Sequence, residues 1–379
     1  MRIGIDARAY GWAGLGRYVR NLLRHLTGLP GAPELVVFVP RVYAREIAEM
    51  PRVRVVPVAS SYYSLREQTL FLALLLRYRV DLMHFLHFNA PVFYRRPSVV
   101  TIHDLTRFLF PAQKHTGPFH QWAYEEVFRA AIVHARRVIA VSEHTRNDLL
   151  RFFPNVADRT VVIPEGIEHE RYHTTTNSAA DAAALARLGI NKPYLLFVGV
   201  WMNHKNLPRL LEAFTDVRQQ GFAGQLVITG VGRPHDEDVP GLVRRLRLSS
   251  SVILPGNVPE QILPILYRQA SVFVFPSLYE GFGFPPLEAM ACGVPVVASQ
   301  VASLPEVLGD AADFVDPLSP GDIARGVSRV LRDAPHREGL IVRGLERVKR
   351  YQWSRCAAET LHVYAVALKE ERIPAQTVV

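Results

Sequence analysis

An α/β protein with two doubly wound parallel sheets is what this sequence predicts, and three observations carry the prediction. Short apolar runs alternate with helix-patterned segments, as expected for strands covered on both faces by crossover helices. The alternation runs twice, with a pause at residues 168–192. At 379 residues and 49% hydrophobic, the chain exceeds the common single-domain length and can fill two cores.

In the first series the candidate strands are 3–6 (IGID), 35–39 (LVVFV), 53–58 (VRVVPV), 81–85 (DLMHF), 98–102 (SVVTI), 138–141 (VIAV) and 160–163 (TVVI), with helical patterns such as 64–78 and 120–136 between them. A short Ala-rich helix ending at Gly189 occupies the pause. The second series supplies 194–199 (YLLFVG), 225–230 (QLVITG), 251–256 (SVILPG), 271–277 (SVFVFPS) and 294–299 (VPVVAS). Between the first two of these, Leu207, Leu210, Leu211 and Phe214 fall at i, i+3, i+4 and i+7, one apolar helix face. Residues 351–371 read as a final helix. The expected organisation is a first domain at 1–172, a linker at 173–191, a second domain at 192–350 and a terminal helix from 351 to 379, the two domains facing one another across a cleft.

The formal charge of +9 is concentrated in residues 1–175, which hold 23 Lys+Arg against 15 Asp+Glu, a net of +8; the remainder, 21 against 20, gives +1. Such a half suits nucleic acid, a phosphorylated substrate or an anionic membrane surface. A solvated Arg-rich surface explains it equally well, since 39 of the 44 basic residues are Arg. Zinc-finger spacing and RNP-type aromatic motifs are absent, so no nucleic acid partner is expected. Two cysteines, Cys292 and Cys356, suggest neither a disulfide framework nor a metal site, which fits a reducing cytoplasm. The apolar run at 70–76 (LFLALLL) is far shorter than the ~20 residues that span a bilayer. The N-terminus carries Arg2, Asp6 and Arg8 with no continuous apolar region, so it reads as a strand and not as a signal peptide.

Ligands of open α/β sheets bind beyond the carboxyl ends of the strands. After the first strand, Gly11, Gly14 and Gly16 precede a helix expected over about 17–26, where bare backbone and the helix N-terminus suit a phosphate or sugar. After Gly199, Lys205 and Asn206 open the next helix; a lysine there opposes the helix dipole, and an anion would explain it. In the segment EGFGFPPLEAMACG, Glu280 belongs to a strand-exit loop, and Pro285-Pro286 suit the first turn of a helix that Gly293 ends. Glu288 then lies about one turn inside the helix. The amides of Phe282, Gly283 and Phe284 are placed for a diphosphate. Carboxylates repel phosphate, so Glu280 and Glu288 are expected to accept hydroxyls, one from a ribose and one from a sugar.

These residues resemble the E-x7-E motif of retaining, nucleotide-sugar-dependent glycosyltransferases of the GT-B fold, specifically glycosyltransferase family 4. The resemblance covers nearly the whole chain, through GLGRY (14–18), YSLREQ (63–68), DLMHFLHFNAP (81–91), TIHDL (101–105), VSEHTRNDLL (141–150), VIPEGI (162–167), VGVWMNHKNL (198–207), LPEV (304–307) and YQWSRCAAETL (351–361). It implies a hexosyltransferase whose second domain binds the nucleotide sugar and whose first faces the acceptor, with the terminal helix crossing back onto the first domain. Glu288 would hold the donor ribose and Glu280 the transferred sugar. Lys205, with the amides of Phe282, Gly283 and Phe284, would neutralise the departing diphosphate. Gly199 would lie at the same strand exit, and Asn257 and Val258 would border the base. Gly14, Gly16 and Arg17 would reach the phosphates or the acceptor. His103, followed by Asp104, would lie under the anomeric carbon. His84, His87 and Asn89 would line the acceptor side, the two histidines having core packing as their alternative. No cofactor or metal is implied, the nucleotide sugar being a substrate. Retention by front-face attack, with the leaving phosphate taking the acceptor proton, needs no separate base; double displacement through Glu280 is the alternative.

Two positions depart from the family pattern: Val200 stands where many members carry arginine, and Glu165 where asparagine is common. His204 or Arg17 would compensate for Val200, or Lys205 would carry more of the charge. Asp236-Glu237-Asp238 forms a D-x-D in a polar loop and is not expected to bind a metal. The apolar 64–79 helix suits either buried core or contact with an anionic inner-membrane face, where lipid-linked saccharide acceptors reside. GLGRY, YSLREQ and THDL-like segments point to GDP-mannose over UDP-sugars or dTDP-rhamnose. A sugar-nucleotide epimerase or a phosphorylase on the same architecture, or a basic nucleic-acid binder, are the competing functions.

Overall fold

The computed structural model describes residues 1–109, 118–232 and 238–369. The chain divides into two compact units, one comprising Met1–Gly166 with the stretch from Gln352, the other Ile167–Tyr351.

The first unit holds β1 (Arg2–Asp6), β2 (Glu34–Pro40), β3 (Val53–Val58), β4 (Leu82–Phe85), β5 (Ser98–Ile102), β6 (Arg137–Ala140) and β7 (Thr160–Val162). They form one sheet in the order β3-β2-β1-β4-β5-β6-β7, with every pairing parallel. The second unit holds β8 (Tyr194–Val198), β9 (Gln225–Thr229), β10 (Val252–Gly256), β11 (Val272–Phe275), β12 (Val296–Ser299) and β13 (Ala312–Val315), in the order β10-β9-β8-β11-β12-β13, again parallel. Chain order reverses between β1 and β4 in one sheet and between β8 and β11 in the other. At such points adjacent connections leave on opposite faces and open a crevice at the carboxyl edge.

Both sheets are covered by helices, which is why their strands read as apolar runs. β13 escaped that reading because its sequence is ADFV: Asp313 sits in mid-strand, fully buried, where the Arg329 guanidinium and His336 Nε2 (2.8 Å) hold its carboxylate. A buried carboxylate keeps its place in a strand only when paired in this way.

The terminal helix Trp353–Lys369 packs on the helix Gly14–Gly28 and against β4 and β5. Its Tyr364 hydroxyl lies 2.6 Å from His84 Nδ1, and His84 Nε2 is 2.8 Å from Thr101 Oγ1; all three residues are fully buried. Burial, and next the nearby His103, pull the His84 imidazole down to about 3, so it is neutral here.

The segment expected as one helix from 64 is helical without a break over 65–77, with a π-helical stretch, Glu67–Phe71, running into the α-helix Leu72–Arg77. It is amphipathic. Phe71 and Leu75 are in the core, whereas Leu65, Leu70 and Leu76 are 85%, 63% and 42% exposed.

Candidate active site

The strand exits around the switch point of the second sheet are tied together by polar side chains. Beyond β8 the chain passes Gly199 and makes a 3-10 turn, Asn203–Lys205, before the helix Leu207–Gln219. Asn206 stands between turn and helix in the left-handed region (φ 62°), buried, and donates from Nδ2 to the carbonyls of Pro276 (2.9 Å) and Pro317 (2.7 Å). One side chain thus joins the exits of β8, β11 and β13. The Leu278 amide donates to the His204 carbonyl at 2.7 Å, a second tie between the first two.

The loop after β11 is held equally closely. Ser303 Oγ, fully buried, is 2.9 Å from the Glu280 carbonyl and 3.0 Å from that of Phe282. Gly283 precedes the helix Phe284–Ala291 with φ 113° and ψ 62°, and a Cβ there would meet Leu304 Cδ2 at 2.9 Å. Only glycine suits such a backbone at low cost. The two prolines fall in the first turn, where no amide is lost.

On this frame Lys205 Nζ and Glu280 Oε1 meet at 2.6 Å, 14% and 13% exposed, with the ammonium 5.3 Å from the centre of the Phe275 ring. Glu288 turns inward. It is 1% exposed, and its Oε2 accepts the Tyr267 hydroxyl at 2.8 Å. Asn257 and Val258 follow β10 at the same edge, Asn257 exposed and Val258 half-buried.

In the first unit the exits of β1, β3 and β4 meet in a buried ionic knot. Arg8 Nη2 lies 2.7 Å from Asp6 Oδ2 and 2.8 Å from Glu67 Oε1. Its guanidinium is 4.2 Å from the Tyr62 ring centre and 3.9 Å from that of Phe71. Asn89 donates to Glu67 Oε2 (3.3 Å), and its carbonyl accepts from Arg8 (3.1 Å). Beyond β5, His103 has an acceptor at each ring nitrogen: Glu165 Oε1 is 3.0 Å from Nδ1, and the Leu86 carbonyl is 2.9 Å from Nε2. Asp104, exposed, accepts the Thr106 amide (2.8 Å) and starts the next helical turn.

Two parallel sheets, each with polar residues gathered at its switch point and a terminal helix returning to the first unit, match what comparison with known proteins finds. The family model described as Glycosyltransferase Family 4 matches residues 12–171, and that described as Glycosyl transferases group 1 matches 184–347. The chain belongs to glycosyltransferase family 4. It is 32% identical to the Escherichia coli O-antigen chain mannosyltransferase B over 73% of each chain. It is 31% identical to an alpha-maltose-1-phosphate synthase of Mycolicibacterium smegmatis over 73% of this chain and 74% of that one. Among solved structures, the sucrose-phosphate synthase of Thermosynechococcus elongatus superposes with a TM-score of 0.78 at 23% identity, covering 97% of this chain and 98% of that one. Anabaena HepE in complex with UDP and glucose gives 0.77 at 17% identity, covering 97% and 100%. The fold is therefore GT-B and the activity that of a glycosyltransferase.

Against this glycosyltransferase frame, two acceptor-side assignments need correction. His84 is fully buried between Thr101 and the terminal helix, and Asn89 is fully buried in the Arg8 knot, so neither lines a surface that an acceptor touches. For His84 the core alternative holds. His87 is half-buried beside Trp12, which is 43% exposed, and Tyr62, at ring-centre distances of 6.1 and 5.6 Å. Burial, followed by His103 and Arg8, holds His87 well below the usual histidine range.

The helix expected from about Arg17 begins at Gly14. Gly14 is exposed in its first turn, Arg17 is half-buried, and Gly16 is buried where a Cβ would lie 2.6 Å from the Tyr10 carbonyl. Gly16 thus serves a close approach within the fold. His204, a candidate to compensate for Val200, is 7% exposed. Asp236 and Glu237 of the D-x-D lie outside the described residues; Asp238 caps the helix Val239–Arg245 by accepting the Gly241 amide at 2.9 Å. No group of three or more His, Cys, Asp or Glu suited to a metal occurs among the described residues. Cys292 is buried, and burial pushes its thiol up to about 12.

Sequence reasoning did not single out Ser303, Tyr267, Arg8 or Glu67. Arg8 and Glu67 carried a signal, as charges within or next to segments that were otherwise apolar. Ser303 and Tyr267 carried none, because their roles depend on contacts to residues 21–23 positions away.

Proposed function

We propose that this chain is a retaining glycosyltransferase that moves mannose from GDP-mannose onto a saccharide acceptor, lipid-linked, in the synthesis of a cell-surface polysaccharide. The observation that carries the reading is the Lys205–Glu280 pair at the β8/β11 switch point, beside the glycine-led start of the helix Phe284–Ala291. A diphosphate entering there would draw Lys205 from Glu280 and accept the amides of residues 282–284. The freed Glu280 would then accept hydroxyls of the sugar. Tyr267 would orient Glu288 toward the ribose. As the glycosidic bond to phosphate lengthens, negative charge builds on the leaving oxygen, and an ammonium already fixed in place stabilises it without reorganisation.

His103 has both ring nitrogens engaged, so proton transfer falls to the leaving phosphate itself, which supports front-face retention. Mannose is supported by the likeness to an O-antigen chain mannosyltransferase. UDP-sugar use is the second reading, favoured by HepE, whose complexes contain UDP and UDP-glucose.

We extend the proposal to a peripheral contact with anionic membrane through Leu65, Leu70 and Leu76, which stand out of the first unit next to the exposed Arg66 and Arg77. Among the described residues no helix is long and apolar enough to cross a membrane.

The test is a thermal-shift screen over GDP, UDP, dTDP and ADP, followed by transfer assays with the matching sugar nucleotides and anomeric analysis of the product. At 100 times its Kd the correct nucleotide stabilises by about 2.7 kcal/mol. Stabilisation by GDP, and a product keeping the α-configuration of the donor, are expected. A shift confined to UDP would replace the donor, and an inverted product would remove the mechanism. Flotation with anionic but not zwitterionic vesicles, lost in Leu65→Glu/Leu70→Glu, checks the membrane contact.

A further inference from the structure

The carbonyl of Leu86 can only accept a hydrogen bond, so the His103 nitrogen 2.9 Å away carries a proton. The other nitrogen faces a carboxylate at 3.0 Å, and a lone pair there would oppose the Glu165 charge. Exchanging the two nitrogens by a ring flip leaves both with acceptors. The ring is further fixed by the edge-on Tyr18 ring at 4.7 Å, and the His103 carbonyl accepts from Thr145 Oγ1 at 3.4 Å.

We propose that Glu165 is a positioning residue that holds His103 as an imidazolium, making it a fixed cation at the carboxyl edge of the first sheet and not a proton acceptor. Burial works against the charged ring. The hydrogen bond and charge of Glu165 together with the Leu86 carbonyl and Asp104 outweigh it, and His103 stands above the ordinary histidine range. Its titratable neighbours His84, His87 and Tyr18 do not compete for the proton: the two histidines are held down and the phenol is pushed up, each chiefly by burial. The two acceptors thus favour the charged ring. A ring in this state has no lone pair with which to take the acceptor proton. It supplies positive potential to an anionic reactant and loses it only when the pH passes the raised His103 value. The inference rests on the glycosyltransferase reading for its consequence in turnover, and on geometry alone for the proton.

Two measurements on the full chain test it. In ring-15N-histidine-labelled protein, with His103→Asn for assignment, His103 at neutral pH is expected to show both nitrogens protonated, and Glu165→Gln to move its titration to lower pH. The pH profile of kcat/KM is expected to fall on the alkaline side with the wild-type His103 titration. In Glu165→Gln that limb should move to lower pH in parallel with the His103 titration, and Glu165→Asp should return it part of the way. A His103 spectrum with one unprotonated nitrogen at neutral pH overturns the proposal, as does a titration unmoved in Glu165→Gln. If the proton is found but turnover ignores Glu165→Gln, the positioning role falls while the donor reading stands. If only donor binding fails in the nucleotide screen, the spectra still decide the proton.

Discussion

Removing the charge of Glu280 should tighten binding of the nucleoside diphosphate while it suppresses transfer. Two unit charges 2.6 Å apart, as Lys205 Nζ and Glu280 Oε1 are, attract by about 6 kcal/mol at an effective dielectric constant of about 20. Desolvation and lost hydration return most of this. At 14% and 13% exposure the pair lies between a surface pair and a fully buried one, and we take its net worth as about 1–2 kcal/mol. A diphosphate that recruits Lys205 has to offset that amount, and it also approaches a carboxylate. In Glu280→Gln both costs vanish, so GDP, or UDP if that is the donor base, should bind about 5–30-fold tighter. The sugar nucleotide should gain less, because the sugar loses its acceptor, and kcat should drop by about 10²–10³. Lys205→Met should weaken the diphosphate and lower kcat by a similar factor. Calorimetric titration of both variants with the diphosphate and with the intact donor, beside single-turnover transfer, measures each quantity. Diphosphate binding no tighter in Glu280→Gln than in wild type, together with unchanged binding in Lys205→Met, would refute the idea that the ligand replaces Glu280 at Lys205.

Three further outcomes are expected. Gly283→Ala imposes a side chain at φ 113° and presses on Leu304, which should cost about 1–3 kcal/mol in urea denaturation and weaken the diphosphate through misplaced amides. Tyr267→Phe removes the donor to Glu288, at about 1.5–3 kcal/mol for a hydrogen bond to a charged group; the preference for ribose over 2′,3′-dideoxyribose in the diphosphate should shrink with it. His84 sits at about 3 in the fold against about 6.5 in an unfolded chain. Its neutral form therefore supports stability fully above pH 6.5 and progressively less as the pH falls toward 3, by up to about 5 kcal/mol. His84→Gln should flatten that part of the urea-midpoint profile, and an unchanged acid slope would show that other groups cause it.

Among the described residues, twelve of the thirteen strands were legible because strands covered by helices leave mainly apolar runs. β13 was not, since Asp313 breaks the run and its partners, Arg329 and His336, come from later helices. In the site, the positions of Lys205, Glu280 and Gly283 at strand exits were legible. That Lys205 pairs with Glu280 did not show, because 75 residues separate them and only the β8–β11 adjacency brings their exits together. His84 and Asn89 were misplaced for a related reason: a polar residue at the end of a strand faces either the ligand edge or the interior, and linear order does not distinguish the two. What distinguishes them is Tyr364 for His84 and Arg8 for Asn89, the first 280 residues away and the second 81.

Each sheet carries the same electrostatic arrangement at its carboxyl edge: a cation from one strand exit, Lys205 or His103, bound to a carboxylate from another, Glu280 or Glu165. A bare cation there would attract any anion, inorganic phosphate included. A cation already paired responds less, because the entering anion must displace a carboxylate and then lie beside it. A ligand with phosphate alone satisfies only Lys205 and leaves Glu280 charged, partly enclosed and without its partner. A ligand with phosphate and neighbouring hydroxyls would satisfy both, the diphosphate taking the ammonium and the sugar the carboxylate as proposed. On the proposed function, the internal pair would turn charge attraction into a test for two features of the donor at once. Inorganic pyrophosphate should accordingly compete poorly with the sugar nucleotide in the wild-type protein and markedly better in Glu280→Gln, where the carboxylate no longer has to be satisfied.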